Sequence, residues 1–254
     1  MAQKIIAVTN QKGGVGKTTT AVNLAAQLAG AKRRVLLVDL DPQGNATSSL
    51  GFEKTQLTST LYDVLIKGAE VSQTILQTRI KNLFVLPSDA NLAGAEVDLV
   101  NLPEREIRLA RMLQQIDVDL IIIDCPPALG LLTINALVAA SGVLIPVQAE
   151  YFALEGLGQL LNTIQLVRQQ LNPHLEIMGV VLTMYNKRTV LSEQVKNEVQ
   201  QHFGDKLFKT VIPRNVRLAE APSFGKTIFE HDKWSKGARA YKNLAEEVVK
   251  RANL

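Results

Sequence analysis

Two lysines bracket a run of glycines close to the start of this sequence. Residues 11–20 read Gln11-Lys12-Gly13-Gly14-Val15-Gly16-Lys17-Thr18-Thr19-Thr20, directly after the apolar run Ile5-Ile6-Ala7-Val8. A glycine-rich loop lets backbone N–H groups surround a polyphosphate, because no Cβ blocks the approach. A helix starting near Lys17 adds its positive N-terminal end to the same anion. Lys17 then neutralises phosphate charge, and the Thr18 hydroxyl is placed to hold Mg²⁺. The ordinary pattern has glycine at position 11, where this chain has glutamine, and it has one lysine rather than two. Lys12 therefore makes the chain a candidate molecular switch rather than a generic nucleotide binder.

Carboxylates follow two later apolar runs. Asp39-Leu40-Asp41-Pro42-Gln43-Gly44-Asn45 ends the run Val35–Val38, and Asp124-Cys125-Pro126-Pro127 ends Leu120–Ile123. An aspartate after such a strand supports Mg²⁺ directly or through water, although aspartate also serves as a helix N-cap. Asp39 and Asp41 are two apart, so in extended backbone they share a side. Phosphoryl transfer is mainly positioning and charge neutralisation, and hydrolysis needs a group that orients water. Asp41 is assigned to the water, and Asp39 to the metal or the loop geometry.

The elements that must position these residues alternate along the chain. Strands are expected at Ile5–Val8, Val35–Val38, Leu83–Leu86, Leu120–Ile123, Val143–Val147 and Ile177–Thr183, with a further extended segment at Thr210–Ile212. Helices are expected near Thr18–Ala29, where Ala21, Leu24, Ala25 and Leu28 recur at helical spacing. Others fall near Glu104–Gln115, Leu131–Ala140, Leu154–Leu171, Leu191–Phe203 and Ala238–Ala252. Runs such as Leu120-Ile121-Ile122-Ile123 are apolar on both faces, which suits strands covered by helices on each side. The expected fold class is therefore α/β: one domain over 1–254, with a mostly parallel central sheet between two helical layers. Ligands in such a sheet bind beyond the carboxyl ends of the strands. The loops at Asp39, Asp124 and Tyr185-Asn186-Lys187-Arg188 should therefore converge on the phosphate loop.

Guanine-specific proteins often read their base with Asn-Lys-x-Asp after a late strand. Here Asn186-Lys187-Arg188-Thr189 lacks the closing carboxylate. Adenine is the better fit, with Pro213-Arg214-Asn215 supplying ring contacts, so ATP is the expected nucleotide. The single cysteine, Cys125, excludes an internal disulfide and any multi-cysteine cluster within one chain. No apolar stretch is long enough to cross a bilayer, and Met1 leads almost at once into a strand without a signal core. A cytoplasmic location is the default expectation. Net charge is only +4, but basic residues are frequent from Lys187 to Arg251. That excess suits a grip on nucleic-acid phosphates or a plain solvated face equally well.

With these residues in place a family resemblance emerges. Lys12-Gly13-Gly14-Val15-Gly16-Lys17-Thr18-Thr19 resembles the deviant Walker A loop of the ParA/MinD group of ATPases. The segments at Asp39–Asn45 and Ile123–Pro127 resemble its two switches. Ala149-Glu150-Tyr151-Phe152-Ala153-Leu154-Glu155-Gly156 and Val211–Ser223 resemble the ParA/Soj branch in particular, and the likeness runs from Ile5 to the last helix. The resemblance implies a P-loop fold and an ATP-dependent homodimer in which Lys12 reaches the partner's phosphates. It also implies a non-specific grip on double-stranded DNA in the nucleoid, and a ParB-type centromere-binding partner that stimulates hydrolysis. By the same resemblance Arg188 and Arg217 are expected at positions used for DNA contact, with Lys226, Lys233 and Lys236 as weaker candidates.

Three other readings compete. A MinD-like regulator would place a basic amphipathic tail on a membrane. Here the stripe Tyr241, Leu244, Ala245, Val248, Val249 is modestly apolar and Glu246 and Glu247 oppose an anionic surface, so a docked helix and no stable membrane binding are expected. An electron-transfer iron protein needs two cysteine ligands per subunit. A metabolic ATP-dependent enzyme needs a substrate pocket that no motif reveals. Some plasmid ParA proteins carry an N-terminal helix-turn-helix domain for operator binding; here Met1 lies four residues from the first expected strand, so specific repressor activity is not expected.

Overall fold

The computed structural model describes residues 3–150 and 157–254 of the chain. Its strands are β1 (Lys4–Val8), β2 (Val35–Asp39), β3 (Leu76–Gln77), β4 (Leu83–Leu86), β5 (Leu120–Asp124), β6 (Gly142–Gln148) and β7 (Glu176–Thr183). They form one sheet in the order β3-β4-β2-β5-β1-β6-β7. Every pairing is parallel except that of the two-residue edge strand β3 with β4.

Alternation within each strand divides the core between two faces. Ile121 and Ile123 of β5 enter one apolar cluster, while Leu120 and Ile122 enter the other. The helices Leu61–Lys67, Leu92–Asp98, Leu131–Ala139, Leu157–Gln170 and Val190–Phe203 cover the first face. Helices Lys17–Gly30 and Lys236–Ala252 cover the second. The expected three-layer α/β architecture of a P-loop protein is what forms. The period of two in strands that are apolar at every position is the reason both faces need a helical cover.

Some element boundaries differ from the sequence expectation. Glu104–Gln115 is α-helical only over Arg108–Leu113, because Glu104 sits in the left-handed region at φ 55° and cannot open a helix. Thr210–Ile212 makes no strand. It lies along β7 and its continuation, with Ile212 N–H donating to the Leu182 carbonyl at 2.8 Å, and among the described residues the chain around it meets the sheet only through isolated bridges, Leu207 with Val180 and Pro213 with Tyr185. The expected helix Leu154–Leu171 is described from Leu157 to Gln170, and the motif residues 151–156 lie outside the described residues. Tyr241, Leu244, Ala245 and Val248 are buried in the face that packs on helix Lys17–Gly30, so the last helix is docked as expected. No helix among the described residues is long and apolar enough to cross a membrane.

Candidate nucleotide site and basic surface

The phosphate loop leaves β1 under tight control. Asn10 is buried, its side-chain amide donating to the Pro146 carbonyl at 2.7 Å while its Oδ1 accepts the Lys12 N–H at 3.0 Å. From β7, the Thr183 hydroxyl donates to the Val15 carbonyl at 2.8 Å. Gly16 then turns the chain into helix Lys17–Gly30 with φ 84°, a conformation that a residue with a Cβ resists. No side chain caps that helix, so its first N–H groups are left for an anion. The Lys17 ammonium folds back over the loop and donates to the Lys12 carbonyl at 3.0 Å. Burial lowers the Lys17 pKa, against the opposing pull of Asp124, Cys125 and Asp41. The Lys12 ammonium, by contrast, forms no ion pair among the described residues.

Strand register brings the carboxylates together. Asp39 and Asp124 are direct partners across β2 and β5, and Val8, the last residue of β1, pairs with Asp124 on the other side. Both aspartates continue the alternate positions that face helix Lys17–Gly30. The two then diverge. Asp39 Oδ2 accepts both the N–H and the hydroxyl of Thr47 at 2.7 Å, and burial pushes its carboxyl pKa up to about 6. Asp124 is fully buried and neither of its oxygens meets a hydrogen-bond donor. Burial and then the neighbouring Asp39 hold its pKa well above the ordinary carboxylate range, against a smaller downward pull from the nearby Thr18. Asp41 is nearer the surface, with Oδ1 accepting the Gln43 N–H at 2.9 Å. Burial pushes the Cys125 thiol far up, which leaves it unreactive.

A buried carboxylate without a donor costs roughly 1–3 kcal/mol or more unless a cation reaches it. The Thr18 hydroxyl and the orphaned Asp124 oxygens are hard donors. They fit Mg²⁺, which keeps most of its shell as water and phosphate oxygens and takes few ligands from protein.

Beside the loop lies a cleft of about 210 Å³, with Gly16 and Thr19 on one wall and Met184, Pro213 and Asn215 on the other. Asn215 Oδ1 caps helix Val216–Glu220 by accepting the Leu218 N–H at 3.2 Å, which leaves its amide N–H₂ group for a ligand. Pro213 and Asn215 thus lie across one cleft from Gly16 and Thr19, while Gly13, Gly14 and Val15 do not line it. Tyr241 closes the cleft, its hydroxyl 3.1 Å from that of Thr20. Sequence reasoning misses Asn10, Thr47, Thr183 and Tyr241. Asn10 and Thr183 sit at strand ends, where the carboxyl-edge rule can find them, whereas nothing local marks Thr47 or Tyr241.

The basic residues separate into two kinds. Arg251 is spent on the Met178, Asp205, Lys206 and Leu207 carbonyls, and Lys206 on Ile177. Arg217 is exposed but held by Glu220 at 3.0 Å and Asp232 at 3.8 Å. Arg188, Lys226, Lys233 and Lys236 are exposed. Lys236 lines a groove of about 520 Å³ together with Lys187, Lys209 and Arg239, and the Pro213 wall is shared with the nucleotide cleft. Lys209 is not a sequence candidate, since only the fold brings it beside Lys187 and Arg239.

Comparison with known proteins bears on both regions. A family profile described as "AAA domain" matches residues 3–177. The chain is 59% identical to the sporulation initiation inhibitor protein Soj of Bacillus subtilis, over 97% of its own length and 98% of that protein. It is 52% identical to the chromosome partitioning protein ParA of Myxococcus xanthus, over 98% of this chain and 88% of the relative. The chain belongs to the ParA/Soj family. A solved structure named as cobyrinic acid a,c-diamide synthase of Mycobacterium smegmatis, with a bound ATP analogue and magnesium, matches with a TM-score of 0.88 at 39% identity. That likeness covers 99% of this chain and 96% of the other. For a ParA/Soj member, the paired lysines on the loop and the orphaned Asp124 are the features to explain.

Proposed function

We propose that this chain is an ATP-dependent DNA-partitioning ATPase, acting as one P-loop domain over 1–254. ATP and Mg²⁺ are its cofactors. When bound, they supply the γ-phosphoryl group and the counter-charge that its transfer requires. The observation that carries the reading is the division of labour between the two lysines. Lys17 is turned into its own loop, while the Lys12 ammonium has no partner within the subunit among the described residues.

Lys17 exchanges the Lys12 carbonyl for phosphate oxygens, and the N–H groups of Gly13, Gly14, Val15 and Gly16 cradle the same charge. Thr18 and Asp124 hold the metal, Thr19 borders the base cleft, and Pro213 and Asn215 flank the ring. Asp41 orients a water, whose oxygen adds to the γ-phosphorus as ADP leaves. Asp39 is committed to Thr47 and keeps the loop after β2 in place, which supports its loop-geometry role over direct metal ligation. Lys12 reaches across a homodimer and stabilises charge that the cis residues leave uncovered. The dimer joins two basic surfaces into one grip on double-stranded DNA, with Arg188, Arg217, Lys226, Lys233 and Lys236 as candidates and Lys187, Lys209 and Arg239 added by the groove. A ParB-type partner stimulates hydrolysis and releases the DNA, which makes the protein cytoplasmic and nucleoid-associated.

The MinD-like membrane reading is weaker, because the apolar stripe of the last helix is already buried. Size measurement by light scattering tests the proposal. With ATP and Mg²⁺ the mass should double, and non-specific DNA should be retained only then. A monomer in every nucleotide state would sink it, as would ATP-dependent pelleting with liposomes in the absence of DNA.

A further inference from the structure

The segment that follows Asp39 and Asp41 touches the segment that carries Arg217 and Lys226, and the contact is backbone on backbone. Gly51 (φ 87°) ends the turn after helix Asn45–Ser49, and Gly225 (φ 58°) closes the 3₁₀ turn Ala221–Phe224. A Cβ at Gly225 would lie 2.7 Å from the Gly51 Cα, and a Cβ at Gly51 would lie 3.1 Å from the Gly225 carbonyl oxygen. Both positions therefore exclude a side chain on conformation and on space. Arg79, in the turn between β3 and β4, spans the crossing. Its guanidinium donates to the Gly225 carbonyl, and its Nε lies 3.5 Å from Glu230 Oε1.

Short bonds lead away from the crossing on each side. Toward the nucleotide site, the Ser48 carbonyl accepts the Gly51 N–H at 2.9 Å, and Thr47, one residue earlier, is the group held by buried Asp39. One five-residue helix thus joins the Asp39–Asp41 loop to Gly51. Toward the basic surface, the Ala221 carbonyl accepts the Lys226 N–H at 3.1 Å, and Glu220 holds Arg217. Thr227 and Glu230 form a reciprocal cap on helix Ile228–His231, so the clip on Glu230 acts on that helix as well. The Arg79–Glu230 pair is itself substantially exposed, with side chains 56% and 28% accessible, so it adds little to global stability and opens cheaply. Cheap to open and placed between two functional segments, it has the character of a latch rather than a strut.

We propose that the Gly51–Gly225 crossing, clipped by Arg79, couples the Asp39–Asp41 loop to the Arg217 and Lys226 surface. In this scheme ATP, by resetting the loop after β2, moves Gly51 and with it the turn at Gly225, and Arg79 is a positioning residue that transmits the shift. The DNA side of this inference rests on the proposed function, but the coupling itself is read without DNA.

Hydrogen–deuterium exchange with Mg²⁺ and either ADP or ATP provides the primary test. In the parent protein ATP should change the exchange rates of amides 217–231 several-fold, besides protecting the loop at 13–20. Arg79→Gln should keep the loop protection and lose the change at 217–231. Gly225→Ala should do the same where it folds, and Arg79→Gln decides the matter where it does not. An ATP response at 217–231 equal to the parent's in Arg79→Gln overturns the coupling, as does the absence of any such response in the parent. DNA retention over a salt series is the second readout. Arg79→Gln should reduce the ATP-over-ADP preference about tenfold with an unchanged salt slope, whereas a slope lower by about one would make Arg79 a simple phosphate contact and overturn its positioning role. A parent protein that retains no DNA with any nucleotide would remove the DNA reading and leave the exchange result to judge the coupling.

Discussion

Lys17 is 7% exposed and rests on a backbone carbonyl, whereas Lys187, Lys209, Lys236 and Arg239 line an open groove and pair with no carboxylate among the described residues. The carboxyl edge of the sheet holds its charges in a low-dielectric setting, fixed by strand register and short hydrogen bonds. There Lys17 and Asp39 are each bound to a defined atom, and Asp124 is buried without a donor. The groove spreads its charges along a solvated surface, where screening is strong and contributions are individually small. Under the proposed function, chemistry at the first site should depend on single residues, while affinity at the second should depend on their sum.

The sharpest way to break that comparison is at the two loop lysines. Lys12→Ala should leave ATP affinity within a few-fold, abolish the ATP dimer, and slow partner-stimulated hydrolysis by about 10³-fold, the scale of a cation supplied in trans. Lys17→Ala should instead weaken ATP binding itself by roughly 10²-fold. Titration calorimetry and steady-state phosphate release separate the two, and identical profiles for both variants would refute the division of labour. At the groove, Lys209→Ala should lower DNA affinity only about threefold and reduce the salt slope by about one. A loss as large as those at the loop would mean that the groove also works through single anchored residues.

The smallest effect expected is on stability. Burial raises the Asp39 carboxyl pKa to about 6 and holds Asp124 higher than usual. A carboxyl whose folded pKa exceeds its unfolded value stabilises the protonated fold, so the nucleotide-free protein should lose stability as pH rises from about 4 through 6. Asp124→Asn removes one of the two facing charges. It should raise the melting temperature at pH 7 by about 3–6 °C and flatten the pH dependence between 4 and 7. Thermal melts across that range check the expectation, and a wild-type slope retained in the variant would count against the paired-carboxylate account.

Much of this site is legible in the order of residues alone. The motif 12–19 names its own chemistry, because glycine spacing and lysine position are what a phosphate demands of a backbone. Asp39 and Asp124 stand out because a charge after four apolar residues marks a strand end. Residues supplied by distant segments are harder to find. Thr47 carries no signal of its own, and its importance lies in the two bonds that it gives to Asp39. Apolar periodicity overextends the helix from 104, because it does not report a left-handed φ at Glu104. Asn45–Ser49 and Val216–Glu220 are too short for a period of 3.6 to show.

By itself the sequence determined the alternation of strand and helix, the phosphate loop, the choice of lysines and carboxylates, and the family to which the chain belongs. All of these are encoded in residue type and local spacing, which operate within a few turns of chain. Tertiary structure decided what depends on register and burial. It set Asp39 against Asp124, left the Asp124 oxygens without donors, gathered Lys209 with Lys187 and Arg239, tied Arg217 to Glu220 and Asp232, and crossed Gly51 over Gly225. The physical reason is common to these cases: the energy of a charge or a close contact is set by neighbours far away in sequence, which only the packed chain brings near.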